Sequence, residues 1–141
     1  MKRVLIRMLL LIGFLLIFFG PWNPLFDPFG DQIQKRAGSL LASKDVSLLI
    51  EAIKAYHTEC GTTPTGDSIS ILSSLRGNNP QKAVFLAPEH RFDAQGNFLD
   101  PWKSPYRIDV SDPKNPKVWS PGKNKIDEHD DPKSDDICSW R

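Results

Sequence analysis

The sequence lacks the short motifs that carry the common enzymatic chemistries. It contains no Gly-x-Ser-x-Gly nucleophile elbow, no His-Glu-x-x-His metal motif and no phosphate-binding glycine loop. His57, Glu59 and Cys60 are close in sequence, but neighbours one to three residues apart at a helix end do not form a nucleophile with its base. These absences predict a protein that is not an enzyme.

An excess of basic charge is also missing. The chain carries 18 Lys and Arg against 17 Asp and Glu, and its formal net charge is +1. Three of the basic residues and none of the acids lie in 1–22, so the remainder has a net charge of −2. Because nucleic-acid binding requires a basic surface, this charge balance excludes nucleic acid as the partner.

Long apolar runs are absent outside the N-terminal segment. There, an apolar run covers 4–19 and is interrupted only by Arg7 and Gly13. It is shorter than the roughly 20 residues of a comfortable transmembrane helix, but a single span is feasible if it extends to Trp22 and Arg7 snorkels. A cleaved secretory signal is the alternative, although no small-x-small site follows. We predict a membrane anchor over 1–22 with the remainder of the chain outside.

Proline and glycine divide the rest of the chain. The prolines of 23–30 indicate a linker, because the membrane helix cannot continue through them into the domain. Apolar residues recur at three- and four-residue steps between Val46 and Tyr56, which predicts a long helix over 31–59. Gly61 lies two residues beyond Glu59 and is expected to end the helix.

A short helix and several short strands are predicted downstream. Asp67 or Ser68 is expected to cap the helix, which carries Ile71, Leu72 and Leu75. Short runs separated by turn residues then suggest an antiparallel sheet, with a hairpin turn at 95–97; these runs are 83–86, 91–92, 98–99, 106–110 and 118–119. The predicted fold is therefore α+β, with one long helix packed on a small antiparallel sheet in a single domain over 31–141.

Five short motifs occur in a defined order. They are Ala52-Ile53-Lys54-Ala55-Tyr56 followed by Gly61 and Pro64, a short helix with Leu72 and Leu75, Asp100-Pro101-Trp102-Lys103-Ser104-Pro105-Tyr106, Trp119-Ser120-Pro121-Gly122-Lys123-Asn124, and Asp135-Asp136-Ile137-Cys138-Ser139-Trp140. Over residues 35–140 the chain resembles the globular domain of the major pseudopilin (protein G) family of bacterial type II secretion. The resemblance implies a structural or assembly role beside other pseudopilins or secretion-system proteins. It also implies an inner-membrane protein with its globular domain in the periplasm or outside.

The N-terminus departs from that family. Members that polymerise have a glycine before the processing site, then Phe-x-x-x-Glu opening an unbroken helix. Here Gly13 and Phe14 imitate that frame, but Phe18 stands where the glutamate belongs and prolines interrupt the stem. We therefore expect a pseudopilin-like domain on a fixed anchor. The alternative is an exported calcium-dependent binding module, released by signal-peptide cleavage.

The segment before the last motif is rich in acids, namely Asp127, Glu128, Asp130, Asp131, Asp135 and Asp136. It does not fit the EF-hand pattern, and composition alone favours a solvated acidic loop. The resemblance implies a structural Ca²⁺ site in this loop instead. Transferred residue by residue, with Asp127 added for its proximity, the expected ligands are Pro121, Asn124, Asp127, Asp135 and Asp136.

Cys60 and Cys138 are the two cysteines of the chain. Outside the cytoplasm a pair of cysteines is more often bridged than free. The resemblance brings the C-terminal motif back toward the long helix, which implies a disulfide between them. Two buried free thiols are the alternative.

Overall fold

The computed structural model describes residues 28–87, 91–128 and 131–141, which form two helices and a three-stranded sheet. The helices are α1 (Pro28–Cys60) and α2 (Ser68–Leu75). The strands are β1 (Arg107–Asp109), β2 (Lys117–Ser120) and β3 (Ile137–Cys138), paired antiparallel in the order β1-β2-β3. The predicted anchor at 1–22 lies outside the described residues, and no helix within them is long and apolar enough to cross a membrane.

The chain separates into two units, 1–36 and 37–141, and the packing described below belongs to the second. Helix α1 begins in the first unit at Pro28, three residues before the predicted start. Proline is tolerated in the first helical turn, because its missing amide hydrogen would have no partner there.

Helix α1 buries one face in the second unit. The buried residues follow three- and four-residue steps, as a helix packed along one side requires; they are Ala42, Asp45, Val46, Leu49, Ala52, Ile53 and Tyr56. The helix ends at Cys60 because Gly61 adopts a left-handed conformation with φ of +70°. The Gly61 amide donates a hydrogen bond to the His57 carbonyl oxygen at 3.0 Å. The predicted long helix is confirmed.

Helix α2 is capped as the sequence predicts. The Asp67 carboxylate accepts a hydrogen bond from the Ser70 amide at 2.9 Å, which gives one of the first helical N–H groups a partner. Ile71, Leu72 and Leu75 are buried. This short helix therefore contributes an apolar face to the same core as α1.

The sheet is smaller than predicted. Strands β1 and β2 lie within or close to the predicted runs, but 91–92 and 98–99 form only isolated bridges, such as that between Phe92 and Phe98. Segment 83–86 is not a strand, because the amides of Phe85 and Leu86 donate to the Leu75 carbonyl oxygen and close the end of α2. The turn at 95–97 is confirmed, with φ of +92° at Gly96. Strand β3 was not predicted.

Both helices and the sheet contribute to one hydrophobic core. Leu49 and Ile53 of α1 belong to the same buried cluster as Ile108 of β1 and Val118 of β2. The prediction of a long helix packed on a small antiparallel sheet is thus confirmed. Since all of these side chains are 9% exposed or less, the helix–sheet contact is dry and contributes strongly to stability.

A charged group is buried beside this core. Asp45 on α1 is 3% exposed, and both of its oxygens accept hydrogen bonds from the Arg91 guanidinium. The Tyr106 hydroxyl donates to Asp45 Oδ2 at 2.7 Å. Burial, followed by this contact with Asp45, raises the pKa of Tyr106 far above its usual value. The three side chains satisfy one another and link α1 to the approach to β1.

The predicted disulfide is not present. Cys60 and Cys138 are not joined by a disulfide bond. Cys60 is the last residue of α1, and its thiol contacts the Tyr56 side chain. Cys138 is buried in β3, opposite Trp119 of β2. A bridge requires close Cα atoms and converging Cβ vectors, and the two cysteines instead make separate contacts in separate elements.

Candidate metal centre

The acidic loop of residues 121–136 connects β2 to β3, and its two ends meet at Gly122. This glycine has φ of +69°, a region that favours glycine. A Cβ atom there would lie 2.4 Å from the backbone oxygen of Asp135. The absence of a side chain at Gly122 therefore allows the end of the loop to approach its beginning.

Three carboxylates converge where the loop closes. Glu128, Asp135 and Asp136 each offer one oxygen, and these oxygens lie within 4.8 Å of one another. The Glu128 amide donates to Asp136 Oδ2 at 3.1 Å. Asn124 joins the group, because its amide N donates to Asp135 Oδ2 and its Nδ2 to Glu128 Oε2, each at 3.1 Å. We refer to the three carboxylates as the acid cluster.

Two oxygens of the acid cluster are buried without a partner among the described residues. They are Oδ1 of Asp135 and Oδ1 of Asp136. A buried acceptor that receives no hydrogen bond costs free energy, and such groups require an explanation. Carboxylate oxygens are the preferred ligands of hard divalent cations. The residues present therefore fit a cation that both oxygens would contact.

Electrostatics in the acid cluster favour the same fit. Burial is the largest cause that raises the pKa of Asp136, and the charges of Asp127, Glu128 and Asp135 raise it further. The hydrogen bond from the Glu128 amide opposes this shift. The carboxylates thus repel one another at neutral pH, and a bound cation would turn that repulsion into attraction.

A buried carboxylate outside the cluster holds the start of the loop. Asp100, which is 1% exposed, accepts hydrogen bonds through Oδ1 from the amides of Trp102 and Ser104. Its Oδ2 accepts from the Ser120 hydroxyl at 2.6 Å, and the Ser120 oxygen accepts from the Gly122 amide at 3.0 Å. The Asp-Pro-Trp turn therefore fixes the position of Gly122.

Comparison with known proteins identifies this architecture. The sequence matches no protein-family model and no curated protein. It is similar in structure to the major pseudopilin from the type 2 secretion system of enterohaemorrhagic Escherichia coli, as solved by crystallography. The two are 19% identical, the match covers 82% of this chain and 91% of that chain, and the TM-score is 0.51. The chain has the pseudopilin fold. The resemblance predicted from the five motifs is confirmed at this level.

Within the pseudopilin fold, the five predicted ligands fall in different places. Asp135 and Asp136 belong to the acid cluster, and Asn124 contacts two of its members. Asp127 is outside it, and its Oδ1 accepts a hydrogen bond from Trp119 Nε1 at 3.1 Å. Pro121 is buried at the start of the loop.

Glu128 was not among the predicted ligands, although the sequence places it in the acidic run. The structure puts its carboxylate in the acid cluster, whereas the neighbouring Asp127 contacts Trp119. The conformation of the loop decides which of two adjacent acids faces inward. No residue pattern in the sequence distinguishes them.

Proposed function

We propose that this chain is a non-enzymatic, membrane-anchored pseudopilin-like protein with a structural or assembly role in type II secretion. The observation that carries this proposal is the shared fold, which extends over 91% of the similar pseudopilin chain. In this proposal 1–22 spans the inner membrane once, 23–30 is a linker, and 31–141 lies in the periplasm or outside. Its partners are other pseudopilins or secretion-system proteins.

The exported domain is proposed to be stabilised by Ca²⁺. Glu128, Asp135 and Asp136 would supply carboxylate oxygens. The Asn124 side chain and the Pro121 carbonyl oxygen would be further ligands. Asp127 is a candidate ligand from outside the acid cluster. The ion would offset two of the three negative charges and give the two buried Oδ1 atoms a partner. Ca²⁺ suits such a loop better than Mg²⁺, because it accepts more oxygen ligands in a less strict geometry.

Thermal unfolding tests the calcium proposal. The full chain in detergent is expected to unfold several degrees higher in millimolar calcium than in chelator. At a calcium concentration of about one hundred times Kd, the gain in stability is about 2.7 kcal/mol, since only the folded state holds the site. Magnesium is expected to substitute poorly.

Two variants make this test specific. Asp136→Ala removes a member of the acid cluster and is expected to abolish the calcium shift. Asp131→Ala is the matched control, because Asp131 is exposed, accepts from the Lys133 amide and lies outside the cluster. An unchanged melting temperature in millimolar calcium for the unaltered chain contradicts the proposal.

The assembly role is tested independently. Purification of the tagged full chain from cross-linked membranes is expected to recover other pseudopilins or secretion-system proteins. An unrelated single-pass inner-membrane protein carrying the same tag is the control. Recovery of the same proteins with both baits argues against a specific role in secretion.

A further inference from the structure

A pocket of about 320 Å³ lies between α1, the loop from β1 to β2, and the residues that follow β3. Its volume falls within the range of ordinary binding sites. None of the acid-cluster residues lines it. The side chains that matter for its chemistry are Ile50, Lys54, Lys114, Pro116, Lys117 and Trp140. We call this surface the lysine pocket.

The fold itself brings these residues together. Strand β2 pairs with β3 so that Trp119 lies opposite Cys138, and continuing this register by two residues places Lys117 opposite Trp140. Consistent with that register, Lys117 Nζ lies 5.4 Å from the centroid of the Trp140 ring. Ile50 and Lys54 are one turn apart on α1 and therefore share a side of the helix.

The three lysines of the lysine pocket have no ion-pair partner among the described residues. Lys54, Lys114 and Lys117 are exposed, and none forms an ion pair with any residue that the structure describes. No acidic side chain of the described residues lines the pocket.

Two carboxylates near Lys117 already have hydrogen-bond partners. Asp109 accepts a hydrogen bond from the Ser111 amide, and Asp112 accepts from the Lys114 amide and the Asn115 side chain. These hydrogen bonds are the main cause that lowers the pKa of each, and the charge of Lys117 adds a smaller contribution. Neither carboxylate forms an ion pair with Lys117, so all three ammonium groups can still form one with an anion from outside.

We propose that the lysine pocket binds the acidic loop of a second copy of this chain. The loop is the obvious anionic partner in the sequence, because it holds six acids between residues 127 and 136. The acid cluster uses three of them, and Asp131 is exposed. Trp140, which is 39% exposed, adds the type of flat aromatic surface that is enriched at interfaces. This inference rests on the assembly role proposed above.

The contact is heterologous, because the loop and the pocket are different surfaces of the same molecule. Each copy would offer its acidic loop to one neighbour and its lysine pocket to another. Such contacts build open chains unless the rotation closes a ring. The lysine pocket would therefore give self-association a direction.

Carbodiimide cross-linking tests the contact, since this reagent joins a lysine amine directly to a carboxylate. An equal mixture of ¹⁵N-labelled and unlabelled full chain in detergent is cross-linked and digested. We expect mixed-isotope peptides that join Lys114 or Lys117 to the segment containing Asp130 and Asp131. The proposal is overturned if peptides of the lysine pocket are cross-linked only to peptides of the same isotopic composition, or are not cross-linked at all.

Charge reversal provides the second test. Lys117→Glu and Asp131→Lys are each expected to weaken self-association about tenfold, and mixing the two variants is expected to restore it. Lys44→Glu, at an exposed position of α1 outside the pocket, is the matched control and should have no effect.

The same variants separate this contact from its competitors. If the pocket binds anionic lipid, Lys117→Glu reduces flotation with phosphatidylglycerol vesicles, and mixing with Asp131→Lys restores nothing, which overturns the proposal. The calcium shift of Asp131→Lys should be unchanged, because this residue lies outside the acid cluster. Loss of the lysine contact while other pseudopilins still co-purify refutes this inference alone and leaves the proposed function standing.

Discussion

Gly122 determines at the residue scale whether the acidic loop can close. A methyl group at this position would lie 2.4 Å from the Asp135 backbone oxygen. It would also lie 2.8 Å from Cγ of the Asp135 side chain, so both the backbone and the side chain of Asp135 would have to move. Gly122 also has a left-handed backbone conformation, which costs free energy for any residue that has a Cβ atom. Both effects act on the segment that brings Asp135 and Asp136 to the acid cluster.

Gly122→Ala is therefore expected to lower the melting temperature and to reduce the calcium shift. Gly61→Ala is the matched control, because Gly61 has a similar φ of +70° but no atom within 4 Å of an added Cβ. It carries only the backbone cost, about 1 kcal/mol. Calorimetry of both variants with and without calcium measures the difference. Equal losses would show that crowding at Asp135 is unimportant.

The buried group around Asp45 supports a second residue-scale prediction. Tyr106→Phe removes one charge-assisted hydrogen bond and is expected to cost about 1.5–3 kcal/mol. Arg91→Met is expected to cost more, because it leaves the buried Asp45 carboxylate without its counter-charge. Urea denaturation of the two variants gives the order. A larger loss for Tyr106→Phe would contradict this account of the ion pair.

At the scale of elements, the cap of α2 predicts a specific response to pH. Hydrogen bonds from Ser70 lower the pKa of Asp67 below its usual value. A lowered pKa in the folded state means that the stabilisation is complete above the unfolded pKa and is lost as pH falls through the folded one. Asp67→Asn keeps a capping side chain but does not titrate.

We therefore expect Asp67→Asn and the unaltered chain to have similar stability near neutral pH. Below pH 3.8, the ordinary value for this carboxyl, the variant should become the more stable of the two. Paired melting curves across this range measure the difference. A constant offset at every pH would show that the charge of Asp67 does not contribute to the cap.

The elements also show how far sequence reasoning extends in this fold. Both helices were predicted, because the signals for them are local in sequence: α1 has apolar periodicity and α2 has a capping residue before an apolar run. The sheet was predicted less well, since strands of two to four residues carry almost no alternation to detect. Segment 83–86 has strand-like composition, yet its amides bond to Leu75. Strand β3 is defined only by its partner β2, which is distant in sequence.

At the scale of the whole molecule, the order of the motifs predicted the fold although the sequence is only distantly similar to the solved pseudopilin. Five motifs predicted a pseudopilin-like domain that the structural similarity confirms at 19% identity. They also placed a candidate metal site in the loop that holds the acid cluster. The motifs could not identify Glu128, because the convergence of Glu128, Asp135 and Asp136 depends on how Gly122 meets Asp135. They also implied a disulfide that is absent.

The anchor is the prediction that concerns the whole chain. Because 1–22 offers no small-x-small cleavage site and has Phe18 where the resemblance to processed pseudopilins leads us to expect glutamate, the protein should remain in membranes at full length. It should resist extraction by high salt and carbonate. Mass measurement of the mature N-terminus checks this. A form beginning at Phe14 would indicate prepilin processing, and a soluble form beginning near Trp22 would indicate a cleaved signal.

The position of β3 in the chain has a consequence for the timing of folding. A chain synthesised from its N-terminus presents both helices, β1 and β2 before residue 135 emerges, so β2 has an unpaired edge during that interval. Unpaired edges invite contacts with other chains. The arrival of residues 135–138 then supplies two carboxylates of the acid cluster and the missing strand together. Ion binding and protection of the sheet edge would therefore be completed in the same late step.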